Sequence, residues 1–317
     1  MTPRLRCFSL VLAALACGGE PLTSGLEEPL RVEEAQFQGG VLPGSPPLTA
    51  ADLSAGAQPV APYPTPPEVV GRVVSPMDVG FNVSGRASTD TYAVGFQLAG
   101  LGSGYWLIPA GAPDPTNAGE LTWRAAIDFG ASLPAGLQRL LVAAFDAAGA
   151  SGTQREIELC VRAPTADNLN VCDATSAPPA LVVSLSWDND ADLDLEIAAP
   201  DGSFVDRANV RGSGPGSAGA QLERDANAGC RASGAPRENV VWQEAPAPGR
   251  YQVYVNLHDA CGADAASFQL STHERAAGDA EGEYRQIETS RSTGTLLSLT
   301  ANGGARRGLW VTEIVID

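Results

Sequence analysis

The stretch WDNDADLDLEI, residues 187–197, sets an aspartate at every second position: Asp188, Asp190, Asp192 and Asp194. Carboxylates this close together have two chemical uses. They hold a hard cation, or they cap backbone N–H groups in turns and face solvent. A Ca²⁺ ion takes roughly six to eight oxygens, and Asp225 and Glu238 from later segments extend the candidate set. The pattern is not an EF-hand. The D-x-D-x-D opening is present, but Leu193 stands at the sixth place and Ala199 at the twelfth, where that loop needs Gly and Glu. Paired carboxylates also do acid–base work, but no segment here couples an acid to a recognisable reaction motif. The two histidines, His258 and His273, lie outside any nucleophile motif. The residues therefore point away from an enzyme, with no catalytic residues and Ca²⁺ as the one candidate cofactor.

The flanking residues show what positions these side chains. Leu181, Val183, Leu185 and Trp187, then Leu193, Leu195 and Ile197, occupy alternate places, with polar residues between them. Side chains alternate across a strand, so one set faces a core and the carboxylates face away from it. The apolar run breaks at residues 189–191, which predicts two strands meeting in a turn or bulge. A straight strand spaces like-facing carboxylates about 6.6 Å apart; a turn brings two or three of them to one cation.

This segment resembles the opening of a bacterial domain family of unknown function, the YfaP-like domain, whose hallmark is W-x-x-x-x-D-L-D-L-x-(V/I)-x-x-P-x-G. Here that run is Trp187, Asp192, Leu193, Asp194, Leu195, Ile197, Pro200 and Gly202. Further matches are Leu222, Asp225 and Gly229; Glu238, Asn239 and Trp242; and Pro248, Gly249, Tyr251, Val253 and Val255. Ala220 and Arg237 depart from the usual Gly and Pro. The resemblance covers about residues 181–275, residues 283–317 fit it less well but still read as strands, and it implies a jelly-roll-like β-sandwich for a domain at 181–317 and no reaction.

Residues 68–163 contain short alternating runs, among them TYAVGFQLA, YWLI, LTWRAAIDF and EIELCV, separated by Gly, Pro, Asp and Ser. In the first, Tyr92, Val94, Phe96 and Leu98 share one face; in the third, Leu121, Trp123, Ala125 and Ile127 do. Short strands at this spacing predict a sandwich. Residues 133–152, LPAGLQRLLVAAFDAAGASG, resemble the late strands of bacterial immunoglobulin-like domains. The fold class expected is all-β: an immunoglobulin-like sandwich, a linker at 164–180, then the jelly-roll-like sandwich.

The N-terminus, MTPRLRCFSLVLAALACGGE, has a basic start and an apolar run too short to span a bilayer but suited to a signal peptide. The segment ALAC, residues 14–17, resembles a bacterial lipobox, which implies that residues 1–17 are a lipoprotein signal and that Cys17 carries lipid. Gly18 in place of Asp favours the outer membrane of the cell envelope by analogy with enterobacterial sorting. Residues 18–67 are rich in Pro and Gly without sustained periodicity and are expected to be a disordered tether. The membrane, through that anchor, is one expected partner.

Net charge is -17 and every one of the 20 basic residues is Arg. Such a balance argues against nucleic acid, which requires cationic replacement of phosphate counterions. Beyond Cys7 and Cys17, four cysteines remain, and an oxidising compartment allows three pairings. Pairing within each region gives disulfides Cys160–Cys172 and Cys230–Cys261. Zinc is the weaker use, because no C-x-x-C pair exists. The expected function is a non-catalytic lipoprotein presenting a sandwich surface, calcium-stabilised, to a protein or glycan. The alternatives are a carbohydrate-binding module or an accessory subunit of an envelope complex. Trp242, Tyr251, Tyr254 and Trp310 are the candidate sugar-stacking rings, with Trp242 and Tyr251 expected in the core.

Overall fold

The computed structural model describes residues 28–317. The signal segment, Cys17 and residues 18–27 lie outside the described residues. What is described is all-β, and alternate apolar positions are the reason: they bury on one side of each strand and pack two sheets face to face.

In the first half the strands are β1 (Leu30–Val32), β2 (Gln36–Gly39), β3 (Glu68–Val69), β4 (Val73–Val74), β5 (Phe81–Ser88), β6 (Ala93–Leu98), β7 (Gly104–Pro109), β8 (Glu120–Phe129), β9 (Gly136–Phe145) and β10 (Arg155–Val161). They form sheets of order β1-β8-β5-β3 and β2-β7-β6-β9-β10-β4. Val94, Phe96, Leu98, Trp123, Ala125 and Ile127 are buried between them. Tyr92, expected on the same face as Val94, precedes β6 and is 70% exposed. Trp123 meets Phe96 edge-on at 5.5 Å and lies over Gly85, where a Cβ would come within 2.7 Å of the indole. Any side chain there would displace the ring.

Residues 28–67 correct the tether expectation. β1 adds to the edge of β8 and β2 to the edge of β7, and Leu30, Val32 and Leu42 are buried. The Trp106 indole N–H donates to the Leu30 carbonyl at 2.7 Å. The buried Gln97 side chain accepts from Leu42 N–H and donates to the Gly40 and Gly104 carbonyls. A short helix, Ala50–Ser54, is closed by a capping box between Thr49 and Asp52. Strands of three or four residues between Pro and Gly leave no periodicity to read. They form because open sheet edges offer them backbone partners.

In the second half the strands are β11 (Leu181–Trp187), β12 (Asp192–Ala198), β13 (Phe204–Val205), β14 (Ala220–Leu222), β15 (Arg237–Trp242), β16 (Gly249–Asp259), β17 (Ala265–Ala277), β18 (Tyr284–Leu297) and β19 (Leu309–Ile316). The sheets run β14-β15-β11-β17-β18 and β13-β12-β16-β19. Thus β11 and β12 belong to opposite sheets, and residues 188–191 turn the corner between them. Leu181, Leu185, Leu193, Leu195 and Ile197 fill the core with Trp242 and Tyr251. The two rings meet edge-on at 5.7 Å, and the Tyr251 hydroxyl lies 2.7 Å from the Gly216 carbonyl and 2.8 Å from that of Ala247.

Both disulfides, Cys160–Cys172 and Cys230–Cys261, are formed. The first ties the segment after β10 back onto the first sandwich. That segment also docks on the second: Asn168 Nδ2 donates to Gln243 Oε1, Asn170 Nδ2 to the Tyr284 carbonyl and Gln286 Nε2 to the Ala166 carbonyl. Replacing Cys160 and Cys172 together by Ser is expected to cost about 3 kcal/mol, by loop-closure entropy over the 12-residue separation. The urea midpoint of the oxidised protein against the double variant measures it.

Candidate metal centre

Two of the four alternating aspartates sit on β12 and two in the corner turn before it. Asp188 and Asp190 are exposed, and Asp188 Oδ1 accepts the Ser267 N–H at 3.0 Å. Counting by twos through the corner therefore misplaces them: they cap and solvate, and only Asp192 and Asp194 share a strand face. That face is covered rather than wet. Asp192 is 2% and Asp194 1% exposed.

The cover comes from three loops. The turn at residues 225–230 crosses β12, and its Gly229 N–H donates to Asp192 Oδ2 at 2.8 Å. Cys230 in this turn is bonded to Cys261, just past β16, so the disulfide clamps the turn over the site. Residues 302–303 close another side, donating to the Leu257 and His258 carbonyls; Asn302 Nδ2 also donates to the buried Asn256 at 2.7 Å. The third cover is Arg207, beyond β13, with Nε 3.3 Å from Asp194 Oδ2.

Asp192, Asp194 and Asp225 bring ligand oxygens within 4.8 Å of one another. Asp192 Oδ1 and Asp194 Oδ1 are buried with no hydrogen bond, and Asp194 Oδ2 has only ionic contact with Arg207 and His258. Burial first, opposed by Arg207 and reinforced by Asp192, Asp225 and Glu196, pushes the Asp194 carboxyl up to about 7. Burial likewise raises Asp192, against the Gly229 N–H, and Glu196, against the Gly308 N–H. Three carboxylates facing one guanidinium leave a local excess of negative charge with oxygens aimed at one another. That donor set fits a hard cation: three carboxylates supply three to six oxygens and water the rest.

Glu238, the remaining expected ligand, has another task. β13 pairs only with Ile197 and Ala198, so Leu195 has no strand partner on that edge of β12. Glu238 is fully buried and accepts the Leu195 N–H at 2.8 Å and the Ala226 N–H at 3.0 Å. It ties the two sheets and the acidic turn together, and burial holds its carboxyl well above the ordinary range. Cys230, Asp259 and Cys261 also converge, but both sulfurs are spent in the disulfide.

Two residues of the site escaped sequence reasoning, Arg207 and His258. His258 Nδ1 stands 3.6 Å from Asp194 Oδ2. The β12–β16 register passes from Leu193↔Leu257 to Asp192↔Asp259, so His258 is the extra residue of a bulge, a device that re-aims a side chain. Only the register reveals this. The candidate rings divide as expected for Trp242 and Tyr251, which are buried, whereas Trp310 is 54% exposed. Trp310 pairs with Tyr254 across β16 and β19, and Arg307 lies over the Tyr254 ring at 5.0 Å and the Phe204 ring at 4.0 Å.

Fold and site thus define an all-β protein of β-sandwich-like halves with a buried acidic centre in the second. No known family model matches the chain, and no curated protein does. Among solved structures it is similar to the C-terminal domain of the Streptococcus agalactiae AgI/II polypeptide BspA. That match has 9% identity over 72% of this chain and 99% of the other, at a TM-score of 0.23. A mutant of the same BspA domain matches at 8% identity over 75% and 98%, with a TM-score of 0.25. CfaE, the adhesive subunit of CFA/I fimbria of enterotoxigenic Escherichia coli, matches at 8% identity over 71% and 80%, with a TM-score of 0.14. Likenesses of this depth carry no argument about function. The outer-membrane placement is corrected: it rested on Gly18, which lies outside the described residues. That placement is withdrawn.

Proposed function

We propose that this chain is a non-catalytic, exported binding protein whose second sandwich is locked by Ca²⁺ at Asp192, Asp194 and Asp225. The observation that carries it is the burial of three carboxylate oxygens with no hydrogen bond, offset by one guanidinium contact: an arrangement so incompletely compensated is stable when a cation completes it. Export is supported by the two disulfides, which persist in oxidising compartments. The ALAC segment supports attachment to a membrane through lipid on Cys17. The YfaP-like motif residues and the immunoglobulin-like run at 133–152 support two display modules, with a protein or glycan as the partner.

Calorimetric titration of the full chain with CaCl₂ tests the reading. A single site with a dissociation constant of about 0.1–1 mM, the range of extracellular calcium modules, is expected, and absence of heat at millimolar Ca²⁺ rejects it. The exposed Trp310 beside Tyr254 favours a glycan as partner over a purely mechanical role. Quenching of Trp fluorescence by soluble glycans, lost in Trp310→Ala with the melt unchanged, is the outcome that reading requires.

A further inference from the structure

A cleft of about 570 Å³ lies where the two sandwiches meet, lined on one side by Met77 and Leu133 and on the other by Arg224 and Arg237, with Arg162 from the connecting segment. We propose that this cleft binds a small carboxylate-bearing ligand with an apolar body, its carboxylate held by Arg162, Arg224 and Arg237. The reading is independent of the metal centre.

Charge is the first argument. The protein carries a net charge of -17, yet among the described residues none of these three arginines belongs to an ion pair. The one carboxylate lining the cleft, Glu223, accepts from Asn239 Nδ2 at 2.9 Å. Three guanidiniums, two of them exposed, thus border one cleft with no acid paired to any of them.

Preorganisation is the second. Arg224 is held by neutral acceptors, Nε to the Arg237 carbonyl at 2.9 Å and Nη2 to that of Ala235 at 2.6 Å. Arg237 Nη1 donates to the Pro164 carbonyl at 2.9 Å. These bonds fix the side chains without neutralising them, and a guanidinium has five N–H donors, so donors remain for a ligand. Burial first, and then the neighbouring Arg224, lowers the Arg237 pKa. A planar fork suits a carboxylate bidentately.

The cleft's volume is the third argument, because it lies within the usual range for small-molecule sites. Met77 is 58% exposed and supplies an adaptable apolar wall.

The test uses the full chain, titrated by calorimetry with benzoate, with isosteric neutral benzamide and with inorganic phosphate. Benzoate is expected to bind at least about tenfold more tightly than benzamide, the margin of a charge-assisted bidentate pair over a neutral contact, and more tightly than phosphate, which has no ring for the Met77 and Leu133 wall to cover. Arg224→Gln with Arg237→Gln removes that preference. Arg162 is exposed, so Arg162→Gln serves as a variant that folds and still weakens benzoate. Equal binding of benzoate and benzamide, equal binding of phosphate, affinity indifferent to the arginine substitutions, or no benzoate heat at tens of millimolar each overturns the proposal.

Discussion

Asp194→Asn is expected to raise the melting temperature of the calcium-free protein at pH 7.5 while abolishing the response to calcium. In the wild type the buried carboxyl titrates at about 7 against 3.8 for a free aspartate, and each unit is worth about 1.4 kcal/mol. Ionised Asp194 therefore costs a few kcal/mol at neutral pH without a cation, and the neutral amide escapes that cost. Added calcium at about a hundred times its dissociation constant stabilises the wild type by roughly 2.7 kcal/mol, about 5–10 °C for a domain of this size. It leaves Asp194→Asn unmoved.

The same shift gives a pH dependence of definite sign. An acid whose folded pKa is raised keeps its proton in the native state after the unfolded chain has lost it. Stability of the calcium-free protein therefore falls as pH rises from about 3.8 to about 7 and levels off above. Asp192, Asp225 and Glu196 face the group and deepen the fall, while Arg207 opposes it. His258 also stands against it. Calcium competes with that proton, so its stabilisation is expected to be largest near pH 8 and lost near pH 5. Calorimetric melts with CaCl₂ and with EDTA at the two pH values measure both limbs. A calcium-free melt that rises with pH between 4 and 7 contradicts the assignment.

Glu238→Ala is expected to cost about 4 kcal/mol, regardless of calcium. It strands two buried N–H groups, Leu195 and Ala226, at about 1–3 kcal/mol each, and leaves a void beside them. Glu238→Gln keeps one acceptor and is expected to lose about half as much. Denaturant unfolding of the three proteins in EDTA gives the order. If Ala and Gln are equal, the carboxylate is not the acceptor for both amides.

Much of this was legible in residues 181–198, because alternation there is strict: Leu181, Val183, Leu185, Leu193, Leu195 and Ile197 all reach the core. Alternation also marked Asp192 and Asp194. It misled at Asp188 and Asp190, because a chain that changes sheets at residues 188–191 no longer preserves face from one side of the corner to the other. It also suggested a solvated outer face, whereas Ser184, Asp192 and Asp194 are all buried. Burial of that face depends on loops distant in sequence, and local pattern carries no record of them. Glu238 was recognised as a carboxylate near the site but not as an acceptor for an unpaired strand edge, which requires knowing where β13 stops. Residues 28–67 were read by composition alone. A three-residue strand such as β1 owes its existence to the edge it completes, so its own sequence cannot announce it.

The bond between Cys160 and Cys172 bears on how the molecule can be divided. A fragment begun after residue 163 to isolate the second half retains Cys172 but discards its partner. The orphaned thiol, only partly covered in the intact chain, would capture another copy of the fragment through a mixed linkage. A dimer seen in such a preparation would be an artefact of the cut, and a fragment carrying Cys172→Ser is the form whose monomeric behaviour reports on the native chain.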